Sequence, residues 1–159
     1  MSRLDLNSIP VVGGSDYPAP FHEAVDGRTK QALGDAGGLR QFGVNLVELQ
    51  PGAASSQRHW HAREDEFVTV LSGELVLVTD EGETLMRAGD HAAFPAGRAN
   101  GHQLVNRSWG PGVFLVVGTR DPDDVVTYTE VDMRYDSASD TYTRKDGTAY
   151  ARSEEPAKP

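Results

Sequence analysis

The stretch from Gln57 to Gly73 constrains this chain more than any other, because two histidines and a carboxylate precede a run of alternating apolar residues. His59 and His61 are separated by one residue. In a β-strand, residues i and i+2 lie about 6.6 Å apart on the same face, so both imidazoles can face one point. If Glu66 begins the next strand, its carboxylate can meet them there. The pattern predicts a metal site at the mouth of an apolar interior.

Two further features bear on this site. His102 can supply a third imidazole, and Glu64 and Asp65 compete with Glu66 for the carboxylate role. We favour Glu66 because it stands immediately before the apolar alternation. A surface strand with solvated polar residues is the alternative interpretation of His59 and His61. Imidazole and carboxylate ligands suit one divalent ion such as Zn, Fe, Mn, Ni or Cu, and the residue types do not choose among these metals.

These residues resemble the two short motifs of the cupin family. The first motif falls on Gly52, His59, His61, Glu66 and Gly73, with one extra residue between Gly52 and His59. The second falls on Gly89, Pro95, Gly97, His102 and Asn106, with two extra residues between Gly97 and His102. Both motifs occur in the expected order, and the resemblance covers about residues 43 to 120.

The resemblance implies an all-β fold, a double-stranded β-helix or jelly-roll-like cupin barrel. It also implies that one divalent metal is held by His59, His61, Glu66 and His102. The strand pattern supports this fold independently, because short strands separated by turn signals about every 8 to 12 residues are typical of an antiparallel barrel or sandwich. Cupins include enzymes, sensors and storage proteins, so the resemblance does not define a reaction.

A length of 159 residues predicts a single domain. Residues near the N-terminus are rich in turn formers, with a short helix expected around 29–33 that Gly34 ends. We divide the chain into an N-terminal arm that packs on the barrel or on a partner (1–42), the cupin barrel (43–120), a C-terminal extension with a hairpin (121–150) and a disordered tail (151–159).

Charge and composition narrow the range of partners. The net charge of −9 disfavours binding to nucleic acid or to an anionic membrane. The chain has no cysteine, so disulfides and thiolate metal ligands are excluded. It also shows no apolar leader and no run of about 18 apolar residues, which predicts a cytoplasmic protein. We expect the N-terminal arm and the C-terminal extension to cover exposed strand edges. Such edges can pair with a second copy of the chain, which favours a homodimer.

Two functional classes remain open from the sequence. The presumed inward positions Val68, Val70 and Leu104 are aliphatic, and no catalytic acid or base can be assigned. Such a pocket favours a small metalloenzyme of dioxygenase-like type, because the metal and O₂ would supply most of the chemistry. The alternative is a non-catalytic cupin that binds or senses a small molecule in a metal-dependent way. The residues predicted to line a pocket for such a small molecule are Gln57, Arg98, Asn100 and Asn106.

Overall fold

The computed structural model describes residues 3–19 and 21–151 and is built mainly from β-strands. Its short helices are α1 (Leu33–Ala36) and two 3₁₀ turns, Leu6–Ser8 and Phe21–Val25. The strands are β1 (Val12–Gly13), β2 (Arg28–Ala32), β3 (Phe42–Leu49), β4 (His59–His61), β5 (Glu66–Ser72), β6 (Glu74–Thr79), β7 (Gly82–Arg87), β8 (His91–Phe94), β9 (His102–Val105), β10 (Gly112–Thr119), β11 (Val125–Tyr128), β12 (Arg134–Asp136) and β13 (Thr141–Thr143).

The strands form two antiparallel sheets that pack face to face. The first sheet has the order β1-β2-β3-β10-β5-β8, and the second has the order β13-β12-β11-β4-β9-β6-β7. Between β3 and β6, and again between β8 and β10, each successive strand lies in the other sheet. This alternation is the winding of a double-stranded β-helix, so the all-β cupin-type fold predicted from the sequence is confirmed.

The inner faces of the two sheets form one apolar core. The first sheet contributes Val47, Val68 and Phe114, and the second contributes Leu75 and Leu104. All five side chains are buried. Inner residues recur at every second position of their strands, as expected where one face of each strand is covered.

The segment expected to form a helix around residues 29–33 is instead strand β2, so that prediction is wrong. β2 pairs antiparallel with β3, with Lys30 opposite Val47. Pairing supplies hydrogen bonds to the exposed edge of β3, which outweighs a weak local preference for helix. Gly34 lies inside α1 rather than ending a helix. A Cβ atom there would lie 2.8 Å from the backbone nitrogen of Val44, which explains the glycine.

The C-terminal extension continues the second sheet through β11, β12 and β13. Its side chains pack with those of the N-terminal segment into a second apolar cluster. This cluster contains Tyr17 and Val25 from the N-terminal segment and Tyr128 and Met133 from the extension. Beyond β13, the turn at residues 146–147 is closed by a single bridge between Thr143 and Ala149. The predicted disordered tail lies outside the described residues from 152 onward.

None of the helices in the described part of the chain is long and apolar enough to span a membrane. The cytoplasmic location and the homodimer stay predictions.

Asn106 links the end of β3 to the loop before β10 through side-chain hydrogen bonds. Its side chain is fully buried, and Nδ2 donates hydrogen bonds to the carbonyl oxygens of Leu49 and Gly110, each at 2.8 Å. Its Oδ1 accepts from the backbone nitrogen of Ser108 at 2.9 Å. Both polar atoms of the side-chain amide therefore form hydrogen bonds with the backbone.

We predict that Asn106→Ala lowers the free energy of unfolding by about 3 kcal/mol, because two buried carbonyl oxygens lose their donor. Urea denaturation followed by circular dichroism measures the change. Asn7→Ala, at an exposed position, is the matched control and should shift stability by less than about 0.5 kcal/mol. Equal stability of the two variants would contradict a structural role for Asn106.

Candidate metal centre

The pairing of three strands brings the histidines of the two motifs to one place. β4 lies between β9 and β11, and His59 is directly opposite His102 on one side and Tyr128 on the other. His61 lies two residues further along β4, so it shares the inward face with His59. Glu66 begins β5 in the facing sheet. Imidazoles from one sheet therefore meet a carboxylate from the other.

Distances show how closely these four side chains approach. Candidate ligand atoms of His59, His61 and Glu66 all lie within 4.8 Å of one another. The fourth residue joins them because His102 Nε2 lies 2.8 Å from Glu66 Oε2. The ring centroid of His59 is 5.0 Å from that of His61 and 5.0 Å from that of His102. The structure thus brings together all four residues that the sequence singled out as metal ligands.

The Nδ1 atoms of two of these histidines are engaged by acceptors. His59 Nδ1 donates to the carbonyl oxygen of Gln57 at 2.9 Å. His61 Nδ1 donates to Asp124 Oδ2 at 2.7 Å, and Asp124 is only 1% exposed. The other oxygen of Asp124 accepts from the backbone nitrogen of Arg63 at 2.7 Å. Such bonds fix the tautomer and leave Nε2 of each ring as a possible metal ligand.

The ring of His102 is held by its contact with Glu66 and by packing, whereas its Nδ1 has no acceptor in the described part of the chain. It stacks on Phe94 with 3.6 Å between the ring centroids and an angle of 4° between the planes. Its buried Nδ1 has no hydrogen-bond partner among the described residues. Three oriented imidazoles and a carboxylate form a donor set that suits a borderline divalent metal.

The protonation states of the site also fit a metal ion. Burial lowers the pKa of His59 to about 4, so this ring is neutral at pH 7 and keeps a lone pair. Burial acts to raise the pKa of Glu66, but the hydrogen bond from His102 and the nearby imidazoles outweigh it, and the pKa is lowered. A neutral imidazole and an ionised carboxylate are the forms that bind metals.

The two competing carboxylates take other positions. Glu64 Oε1 accepts from the backbone nitrogen of Asp121 at 2.8 Å, and its Oε2 lies 3.7 Å from His61 Nδ1. Burial raises the pKa of Glu64. Asp65 is exposed and accepts from the backbone nitrogen of Ala96 at 2.8 Å. Of the three candidates, Glu66 is the one that contacts the ring of His102.

Residues predicted to line a ligand pocket fall in different places. The Gln57 side chain donates to the Phe21 carbonyl at 3.4 Å, and Asn106 is engaged by the core backbone. Arg98 and Asn100 border a cavity of about 210 Å³ that also reaches His61 and His102. Arg98 is paired there with Glu81 at 3.2 Å.

A second cavity, of about 250 Å³, adjoins the histidines from inside the fold and is lined by His59, Glu66 and His102. Its apolar wall includes Val68 and Phe114. The polar wall is formed by Tyr17, Arg28, Lys30 and Asn45. Sequence reasoning missed these four residues because most of them lie in the segment interpreted as an arm. The alternation of Arg28 and Lys30 at strand spacing was the signal that could have revealed them.

Comparison with known proteins agrees with this fold. A family model described as Cupin domain matches residues 45–118. A crystal structure of a sugar phosphate isomerase from a cupin superfamily, from Silicibacter pomeroyi, is 55% identical with a TM-score of 0.90, covering 94% of this chain and 97% of that chain. A search of curated proteins found no match.

More distant structures share the same architecture. A putative sugar phosphate isomerase from Acidithiobacillus ferrooxidans is 35% identical, covers 77% of this chain and 73% of that chain, and gives a TM-score of 0.65. The polyketide cyclase RemF from Streptomyces resistomycificus is 22% identical with a TM-score of 0.61, covers 76% of this chain and 80% of that chain, and shows likeness of fold alone. The chain belongs to the cupin superfamily.

The lowered pKa of His59 predicts how the stability of the metal-free protein depends on pH. Below pH 6.5 the unfolded chain binds a proton at this residue and the folded protein does not, so acid favours unfolding. Between pH 7 and pH 5 we expect the free energy of unfolding to fall by about 2 kcal/mol from this residue.

Urea denaturation with a chelator present measures that fall. His59→Gln should remove most of this loss of stability between pH 7 and pH 5. His22→Gln, at an exposed position, should leave the loss unchanged. The same pH dependence in the His59→Gln variant and in the original protein would show that another group is responsible.

Proposed function

We propose that this cupin is a metal-dependent isomerase that acts on a small, sugar-like hydroxy-carbonyl compound. The observation that carries the proposal is the 250 Å³ cavity in which the candidate ligands His59, Glu66 and His102 share walls with the phenol of Tyr17. The 55% identical structure described as a sugar phosphate isomerase supports it, because nearly the whole of each chain is covered.

His59, His61, Glu66 and His102 would hold one divalent metal. When bound, the metal supplies Lewis-acid polarisation of a carbonyl oxygen. The carboxylate of Asp124 and the carbonyl of Gln57 keep the rings of His61 and His59 oriented toward the site.

Interconversion of an aldose and a ketose moves one proton between neighbouring carbons and one between oxygens, which requires a base and a proton donor. Burial raises the pKa of Tyr17, so its Oη keeps its proton at neutral pH and can donate to a substrate oxygen. Glu66, with its lowered pKa, stays ionised as a metal ligand requires, and no other carboxylate of the described residues lines this cavity, so the base of the reaction is left unassigned. Val68 and Phe114 give the same cavity an apolar lining.

The dioxygenase-like activity expected from the sequence depended on an aliphatic pocket without acid or base. Tyr17, Lys30 and Asn45 make one wall of the cavity polar, so that premise does not hold. The dioxygenase prediction therefore has less support than an isomerase, and the two differ in a simple observable. An isomerase consumes no oxygen.

Metal content tests the site directly. We predict that His61→Ala loses most of the metal found by elemental analysis of protein purified without chelator or affinity metal, because one of four ligands is removed. His91→Ala is the matched control, since His91 is exposed and stacks on Phe67 away from the site. Unchanged metal content in the His61→Ala variant would contradict the proposed ligand set.

Turnover tests the reaction. We expect the metal-loaded protein, incubated in D₂O with a panel of aldoses and aldose phosphates, to form a ketose that NMR detects, with deuterium at the carbon that gains a proton. His61→Ala should reduce the rate by at least about 100-fold, because the polarising metal contributes several kcal/mol.

His91→Ala should retain full activity in the same assay. Substrate-dependent oxygen uptake would instead favour the dioxygenase. Binding of the panel compounds without any turnover would favour the non-catalytic cupin.

A further inference from the structure

We infer that Lys30 and Arg28 form a subsite for the phosphoryl group of the substrate, at the part of the 250 Å³ cavity that β2 borders. The inference rests on the proposed function and identifies its substrate as a phosphorylated sugar. Both residues line this cavity together with Tyr17 and the candidate metal ligands.

The strand register directs both cationic side chains inward. Lys30 is opposite Val47 and Arg28 is opposite Leu49, and both partners are buried core residues. Since paired residues in adjacent strands share a face, Lys30 and Arg28 lie on the inner face of the first sheet. They are two residues apart, about 6.6 Å, so both can approach one anionic group.

The charges of these two residues are not compensated by the protein. Neither forms an ion pair with a carboxylate in the described ranges, whereas Arg98 at the other cavity is paired with Glu81. Arg28 Nη1 and Nη2 donate to the carbonyl oxygens of Ser55 at 2.6 Å and Gly14 at 2.7 Å. These bonds fix the guanidinium and leave its charge intact.

Lys30 is exposed and makes no hydrogen bond with its side chain within residues 3–19 and 21–151, so its ammonium is available where the cavity reaches solvent. Two uncompensated cations in a chain of net charge −9 favour a ligand that carries more than one negative charge. A phosphoryl group satisfies this requirement and also accepts hydrogen bonds from a neutral donor such as the amide of Asn45, which lines the same cavity.

The position of Tyr17 relates the subsite to the metal centre. Its ring lies 5.6 Å from the ring of Tyr128, which lies 5.7 Å from the ring of His59. A substrate bound at its phosphoryl end by Lys30 and Arg28 therefore has the phenol of Tyr17 and the ring of His59 available to its other end. The cavity volume of about 250 Å³ suits a small substrate.

Calorimetric titration of the purified, full-length protein with inorganic phosphate at neutral pH tests the subsite. Lys30→Gln should weaken phosphate binding by about tenfold or more, because a charge-assisted contact is lost. Lys30→Arg should restore most of the affinity. Lys145→Gln, which removes an exposed lysine of the C-terminal extension, should leave binding unchanged.

Phosphate could also bind the metal itself, and His61→Ala separates the two sites. Binding that survives His61→Ala and is lost in Lys30→Gln supports the subsite. The inference is overturned if the protein does not bind phosphate, if Lys30→Gln binds it as tightly as the original chain, or if Lys145→Gln weakens it equally. Turnover of unphosphorylated sugars without phosphate binding would overturn the subsite and keep the proposed isomerase.

Discussion

The contact between His102 and Glu66 is the interaction on which the organisation of the site depends. It spans the two sheets, with 2.8 Å between Nε2 and Oε2, and the ring of Phe94 stacks on the His102 side of the contact. A buried carboxylate is stable only where donors or positive charge compensate for the loss of water. Here the imidazoles compensate Glu66 enough to lower its pKa despite burial. Removing the imidazole of His102 therefore weakens the compensation of the Glu66 charge.

The features that the sequence predicts well are those that depend on the two-residue repeat of a β-strand. His59 and His61 share a face because a strand repeats every two residues, and Glu66 faces them because it starts the next strand. The same period predicts that Val68, Val70 and Leu104 are buried, which the structure confirms. Local periodicity and the two motifs were thus sufficient for the fold and for the grouping of the four candidate ligands.

The features that the sequence did not reveal depend on contacts between distant parts of the chain. His61 and Asp124 are 63 residues apart, and the backbone nitrogen of Gln57 meets the hydroxyl of Tyr17 from 40 residues away. No spacing rule connects such pairs. The segment that contains Arg28 shows weak periodicity by itself, and it becomes a strand because the edge of β3 needs hydrogen-bond partners.

A division of roles between the common fold and its flanking segments follows from these positions. The residues that match the Cupin domain model, 45–118, include all four candidate metal ligands. Tyr17, Arg28 and Lys30 precede that range, and Asp124 follows it. The matched domain therefore provides the four candidate metal ligands, whereas the flanking segments provide Tyr17, Arg28 and Lys30 of the cavity and the acceptor that orients His61. The two motifs can for this reason predict a metal but not a substrate, because Tyr17, Arg28 and Lys30 of the cavity lie outside them.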